Sequence, residues 1–255
     1  MTDAEGSRLP GGESGTDVLD LLLARSLGAE SDREPLVGRI ARDIARDVIE
    51  GRIPPGAELT SIDLAERFET SRTPPREALL VLEREGLIEI RARRRPRVAL
   101  LPRERVTEVY ELRALLYAEV ARRLARSAGE ADLDELQHPL DEMIAAAREG
   151  DRTRAFWSNV LFHEVASSRC GDQTLKQTAD ALDLRVLPLR HFAMTRDAGE
   201  LERWWADHVR LVLALRDRDG ELAAVLNRSI VTSGLPGLLL AYDDFALTAR
   251  PAASQ

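Results

Sequence analysis

The sequence predicts a mostly α-helical chain: an N-terminal winged helix-turn-helix of three helices plus a two-stranded wing, then an all-α antiparallel helical bundle. Three observations point there. Apolar residues recur every three or four positions through most of the chain, and strand-like alternation is confined to a short stretch near residues 87 to 100. The densest positive run, Arg91-Ala92-Arg93-Arg94-Arg95-Pro96-Arg97, falls inside that stretch.

In chain order, residues 1–34 are rich in Gly, Ser, Asp and Glu and read as a flexible tail, with one short helix around Val18, Leu19 and Leu21 to Leu23. Residues 35–101 form the first compact unit. Leu36, Ile40, Ile44 and Val48 recur every four residues, and Gly51 with Pro54-Pro55-Gly56 closes that helix. Thr60 or Ser61 caps a second helix that turns Ile62, Ala65 and Phe68 inward, and Leu79, Leu82 and Leu87 mark a third. Leu87-Ile88-Glu89-Ile90 and Val98-Ala99-Leu100 flank the arginine run as a wing. Residues 102–250 read as helix after helix: a stripe of Leu112, Leu116, Val120 and Leu124, another of Leu133, Leu136, Leu140, Met143 and Ala147, then segments near 152–168, 173–195, 200–216 and 219–233. Pro188 is expected to kink the longest of them.

The chain has 255 residues, enough for two modest domains, and a net charge of −8. That charge is uneven: residues 31–100 sum to +1 and the remainder to −9. No apolar run approaches a membrane span, so no membrane partner is expected. The opening MTDAEGSRLPGGESG lacks a basic segment leading into an apolar one, which predicts a cytoplasmic protein. The single cysteine, Cys170, excludes a disulfide framework and multi-cysteine zinc modules. Neither a Gly-rich phosphate loop, a nucleophile elbow nor an HExxH helix is present, so an enzyme is not expected.

The stretch Leu64-Ala65-Glu66-Arg67-Phe68-Glu69-Thr70-Ser71-Arg72-Thr73-Pro74-Pro75-Arg76-Glu77-Ala78-Leu79, followed by Leu82-Glu83-Arg84-Glu85-Gly86-Leu87, closely resembles the GntR family of bacterial transcription factors over residues 36 to 100. The resemblance implies that Ser71, Arg72, Thr73 and Arg76 contact double-stranded DNA in the major groove, with Arg93, Arg94 and Arg95 of the wing at the adjacent minor groove. The chemistry agrees: arginine at the first turn of a recognition helix can donate two hydrogen bonds to guanine, and a narrow minor groove attracts arginine. The competing readings are exposed arginines paired with Glu69 or Glu77, and nonspecific attraction at the wing. Glu69-Thr70 replaces the family's Gly-Val, and Pro75 replaces a valine. Were Ser71 the cap, Pro75 would fall where the first intrahelical N–H is needed, so the helix should start nearer Thr73. In the wing, where many relatives have glycine, stand Arg95 and Pro96.

Over residues 105 to 235 the chain resembles the FCD domain of the FadR-type branch, on Tyr110-Glu111-Leu112-Arg113-Ala114, Phe162-His163, Asp207-His208 and the Ala214-to-Asp219 segment. Many such domains hold a divalent metal, Zn or Ni, on an Asp-x-x-x-His pair and two later histidines. Here the matching positions are Asn159, His163, His208 and Ser229. An amide and a hydroxyl are weak, uncharged ligands, so His163 and His208 are read as interior histidines lining a cavity, with a bound metal as the alternative. A small carboxylate effector then needs arginine as counter-charge, from Arg113, Arg185 or Arg190. His191 can add polarity, Trp204 and Trp205 can wall the cavity, and His138 is assigned no role. The expectation is a homodimeric repressor on a pseudo-palindromic operator that responds to a small organic acid. The alternative is a constitutive DNA-binding or partner-binding regulator whose pocket has degenerated.

Overall fold

The computed structural model describes residues 16–27, 34–196 and 201–249. The short helix foreseen in the N-terminal tail is α1, Thr16–Leu27, and it is part of the core. Val18, Leu19, Leu22 and Leu23 are at most 3% exposed, and each such burial is worth roughly 1.5–3 kcal/mol. The rest of the predicted tail before Glu34 lies outside the described residues.

Helix α2, Glu34–Ile49, buries Ile40, Ala41, Ile44, Ala45 and Val48 on one face. The left-handed Gly51 and Gly56, at φ 77° and 75°, turn the chain after it. The Thr60 hydroxyl accepts the Asp63 N–H at 3.1 Å and starts α3, Ser61–Arg67. Its inward residues are Leu64 and Ala65. Ile62, expected inside, is 53% exposed, because residues two apart point to nearly opposite sides of a helix and Leu64 takes the core side. Helix α4, Thr73–Arg84, follows, then β1, Ile88–Glu89, and β2, Arg97–Val98, paired antiparallel with Ile88 opposite Val98.

The bundle begins with α5, Arg103–Ser127. The face turned inward carries Tyr110, Arg113, Ala114, Tyr117, Val120 and Leu124, which leaves Leu112 at 44% exposure rather than in the stripe expected of it. The stripe from Leu133 to Ala147 is divided between α6, Glu130–Asp134, and α7, Gln137–Glu149. Pro139 sits in the first turn of α7, where its missing N–H costs nothing, and Ala146 rather than Ala147 is buried. Asp151 caps α8, Arg152–Arg169, and α9 runs Gln173–Arg196 with Pro188 inside it. Helices α10, Leu201–Arg216, and α11, Gly220–Ser233, precede α12, Leu235–Leu247, a helix the sequence reading did not separate.

Helices α11 and α12 nearly abut at Gly234, and together Gly220–Leu247 is long and apolar enough to cross a membrane by length and composition. This corrects the expectation that no run reaches that length. The stretch buries Ala223, Ala224, Ile230 and Val231 in the bundle, where α11 packs along α5, and leaves Leu222, Val225 and Leu240 exposed.

Two apolar cores result. One lies within α5 to α12. The other joins α1, α2, α4 and the wing to Phe156, Trp157 and Val160 of α8 and to Leu184 and Leu187 of α9. The second core therefore runs across the boundary near residue 101 that the sequence suggests.

Candidate nucleic-acid interface and effector cavity

Helix α4 starts at Thr73 with Arg72 at the cap position and prolines in the first turn, and Pro75 is buried beside Ala78, Leu79 and Leu82. The double proline therefore sets the start where the missing N–H groups are harmless. Its outer side presents Ser71, Arg72, Thr73 and Arg76, all exposed. Among the described residues neither Arg72 nor Arg76 carries an ion pair, so neither is committed to Glu69 or Glu77. Glu69, in the turn before this helix, has φ 50°, a left-handed conformation that glycine adopts more cheaply, which explains why relatives favour glycine there.

In the wing, Arg94 N–H bonds to the Arg91 carbonyl at 3.1 Å and Arg93 takes φ 61° at the third turn position. The glycine-like site of the turn is thus Arg93, two residues before the Arg95-Pro96 pair singled out from sequence. Arg95 and Arg97 pair with Glu58 at 3.2 and 2.7 Å, and Arg91 with Glu89 at 2.6 Å. The hydrogen bond from Arg97 holds the Glu58 carboxyl below its usual range. Arg93 and Arg94 project from the tip, exposed and without an ion pair among the described residues.

The bundle holds a cavity of about 730 Å³, open to solvent on one side, between α5, α8, α9, α10, α11 and α12. Arg113, Asn159, His163 and Arg190 line it, and Phe156, Ile230 and Leu238 supply apolar walls. Arg113 is committed: it pairs with the buried Asp183, which also accepts the Tyr117 hydroxyl at 2.6 Å, and it stacks on Tyr110. Burial opposes its charge, but the Asp183 carboxylate together with Tyr110 and Tyr117 raises its pKa. Arg190 is different. Its guanidinium donates to Asn159 Oδ1 at 2.7 Å, and no carboxylate pairs with it among the described residues. Burial, then the charge of Arg113, lower its pKa.

His208, fully buried, stands behind Asn159, whose Nδ2 lies 2.9 Å from His208 Nε2. The His163 and His208 rings are 5.5 Å apart, and burial holds His163 neutral by lowering its pKa well below the usual value. Ser229 is exposed and off the cavity lining, because α11 turns Asn227, Ile230 and Val231 inward. That position supplies no ligand, and no group of three or more His, Cys, Asp or Glu suited to a metal occurs among the described residues. With Asn159 bonded to both Arg190 and His208, the donor set does not fit a divalent ion.

Arg185 is exposed and packs over Gly86 outside the cavity. His191 is buried edge-on against Phe156, Trp205 is half-buried under Arg148, and His138 is exposed; the side chain of Trp204 lies outside the described residues. Sequence reasoning missed Arg152, Phe156 and the α12 wall. The apolar spacing in α8 carried a signal for Phe156, but nothing local singled out Arg152.

A helix-turn-helix with an uncommitted basic first turn, joined to a helical bundle that holds a cavity with arginines on one side and apolar residues on the other, defines a DNA-binding regulator. Residues 36–98 match the family model for bacterial regulatory proteins of the gntR family, and residues 108–233 match the FCD domain. The HTH-type transcriptional repressor RspR of Escherichia coli is 27% identical over 74% of this chain and 82% of its own length. The HTH-type transcriptional regulator YdhC of Bacillus subtilis is 30% identical over 69% of this chain and 79% of its own. The solved structure of E. coli McbR/YncC shares the fold, with a TM-score of 0.73 at 24% identity over 81% of this chain and 98% of that one. The chain belongs to the GntR family of transcriptional regulators and carries an FCD domain.

Proposed function

We propose that the protein is a cytoplasmic, non-enzymatic repressor that binds a pseudo-palindromic operator as a homodimer and responds to a small organic acid in the bundle cavity. The observation that carries this reading is the outward first turn of α4, with Ser71, Arg72, Thr73 and Arg76 exposed and both guanidinium groups unpaired among the described residues. Arg72 and Arg76 read base edges, the two hydroxyls grip phosphate, and Arg93, Arg94 and Arg95 follow the minor groove. The repressor relative supports the direction of control. Exposed Leu112 and Leu115 of α5, with Leu222 and Val225 of the adjoining α11, form the face on which a second copy packs.

Gel-shift titration on fragments from beside its own gene tests the reading. The expected result is a sequence-selective shift whose affinity falls with salt, by a protein that sediments as a dimer. Binding that does not discriminate among sequences, or a monomer at operator-binding concentrations, overturns it.

A further inference from the structure

The charged groups around the cavity leave a positive excess. Arg113 is balanced by Asp183, Arg196 faces Asp244 at 3.8 Å, and Asp207 faces Arg210 at 3.3 Å. Arg190 has the Asn159 amide and the face of the Phe156 ring, 5.8 Å away, but no carboxylate among the described residues, and Arg152 donates to the Met194 carbonyl at 3.1 Å. Beside them, His163 is 3% exposed and its Nδ1 has no hydrogen-bond partner among the described residues. A half-buried guanidinium without a counter-ion and a buried ring nitrogen without a partner, both among the described residues, are better satisfied when a polar group fills the site. The opposite wall, Ile230, Val231, Gly237, Leu238 and Ala241, offers no charge. The volume falls within the roughly 300–1,000 Å³ of sites for drug-sized ligands, larger than a two- or four-carbon acid needs.

We propose that this cavity takes an organic carboxylate bearing an apolar body, and takes it without a metal: the carboxylate sits on the Arg190 guanidinium and His163, and the body lies against α11 and α12. This rests on the regulatory reading above and adds the chemistry of the effector. Asn159, at the position where relatives have a metal-binding aspartate, acts here as a positioning residue. Its Oδ1 fixes Arg190 without adding a counter-charge, and its Nδ2 is itself held at His208. An aspartate at 159 would pair with the still-charged guanidinium and compete with the ligand carboxylate for it.

The test is calorimetric titration of the full-length protein with octanoate, phenylacetate, succinate and gluconate, each with and without EDTA. We expect octanoate or phenylacetate to bind equally in both conditions, and gluconate and succinate at least tenfold more weakly. Arg190→Gln and Asn159→Asp should each lose roughly 10- to 100-fold in affinity, the range for a hydrogen bond to a charged group, with folding checked by the helical melt. The Asn159→Asp loss with the guanidinium still present separates competition for that charge from misfolding. Binding that disappears with chelator and returns with zinc or nickel overturns the proposal, as does tighter binding of gluconate or unchanged affinity in Arg190→Gln. A wild-type protein that binds its operator but none of these acids sinks this inference alone, whereas one that binds the acids and no operator sinks the regulatory reading.

Discussion

Trp157 of α8 donates its indole N–H to the Glu50 carboxylate just beyond α2, at 3.0 Å, across the line between bundle and DNA-binding unit. Its neighbour Phe156 lines the cavity. Adjacent residues on one helix therefore face the cavity and the helix-turn-helix core, so any shift of α8 would move both. Trp157→Phe keeps an aromatic side chain but trims the indole to a phenyl ring and deletes the bond to a carboxylate, so it should lower stability by about 1–3 kcal/mol. It should also shrink the ratio of operator affinities measured with and without a bound acid. An unchanged ratio would place the coupling elsewhere.

Glu69 and Arg93 both occupy left-handed backbone where a side chain costs roughly 1 kcal/mol relative to glycine. Glu69→Gly is expected to raise the urea midpoint, with a gain of about 0.5–1 kcal/mol, and Glu69→Ala should gain none of it. Equal gains from both would mean that the glutamate's charge rather than its backbone is the source.

Arg76→Ala should cost about 1–3 kcal/mol on the preferred operator and flatten discrimination among sequences. Arg94→Ala should weaken all sequences alike and reduce the salt slope by about one. Competition gel shifts at several salt concentrations separate the two patterns, and a reversal of them would exchange the roles of helix and wing.

Glu164, Lys176 and Asp180 meet in the bundle, with Lys176 Nζ at 2.7 Å from each carboxylate. Burial, then the charge of Glu164, pushes Asp180 up to about 7. A carboxyl raised on folding contributes stability that is fully present below its unfolded value near 4 and is lost as pH climbs through 7. The stability of wild type minus that of Asp180→Asn should fall from pH 5 to pH 7, at up to about 1.4 kcal/mol per pH unit. Denaturant melts at both pH values measure this, and a difference that stays flat counts against a raised Asp180 carboxyl.

Much of the DNA-binding unit was legible because its signals are local. Caps, turns and a motif within residues 36 to 100 placed α2 to α4 and the wing. The errors there, Ile62 and later Leu112, came from choosing one apolar stripe when a residue one or two positions away could compete for the core side. The cavity was less legible, since it depends on pairs distant in sequence. Arg113 meets Asp183, Arg190 meets Asn159, and Asn159 meets His208, and no periodicity records which arginine finds a carboxylate and which does not. Helix α12 escaped because the sequence reading marks no segment beyond residue 233, and Pro236 and Gly237, two helix-breaking residue types, sit in its first turn.

Helix α1 lies outside both segments that match family models, yet Leu19 and Leu23 are fully enclosed against α2, α4, α8 and α9. Trimming the chain to its two recognisable modules would therefore uncover a greasy furrow running along the seam between them. A shortened version should be expected to clump or to let its halves swing apart, and its behaviour would say little about the intact regulator.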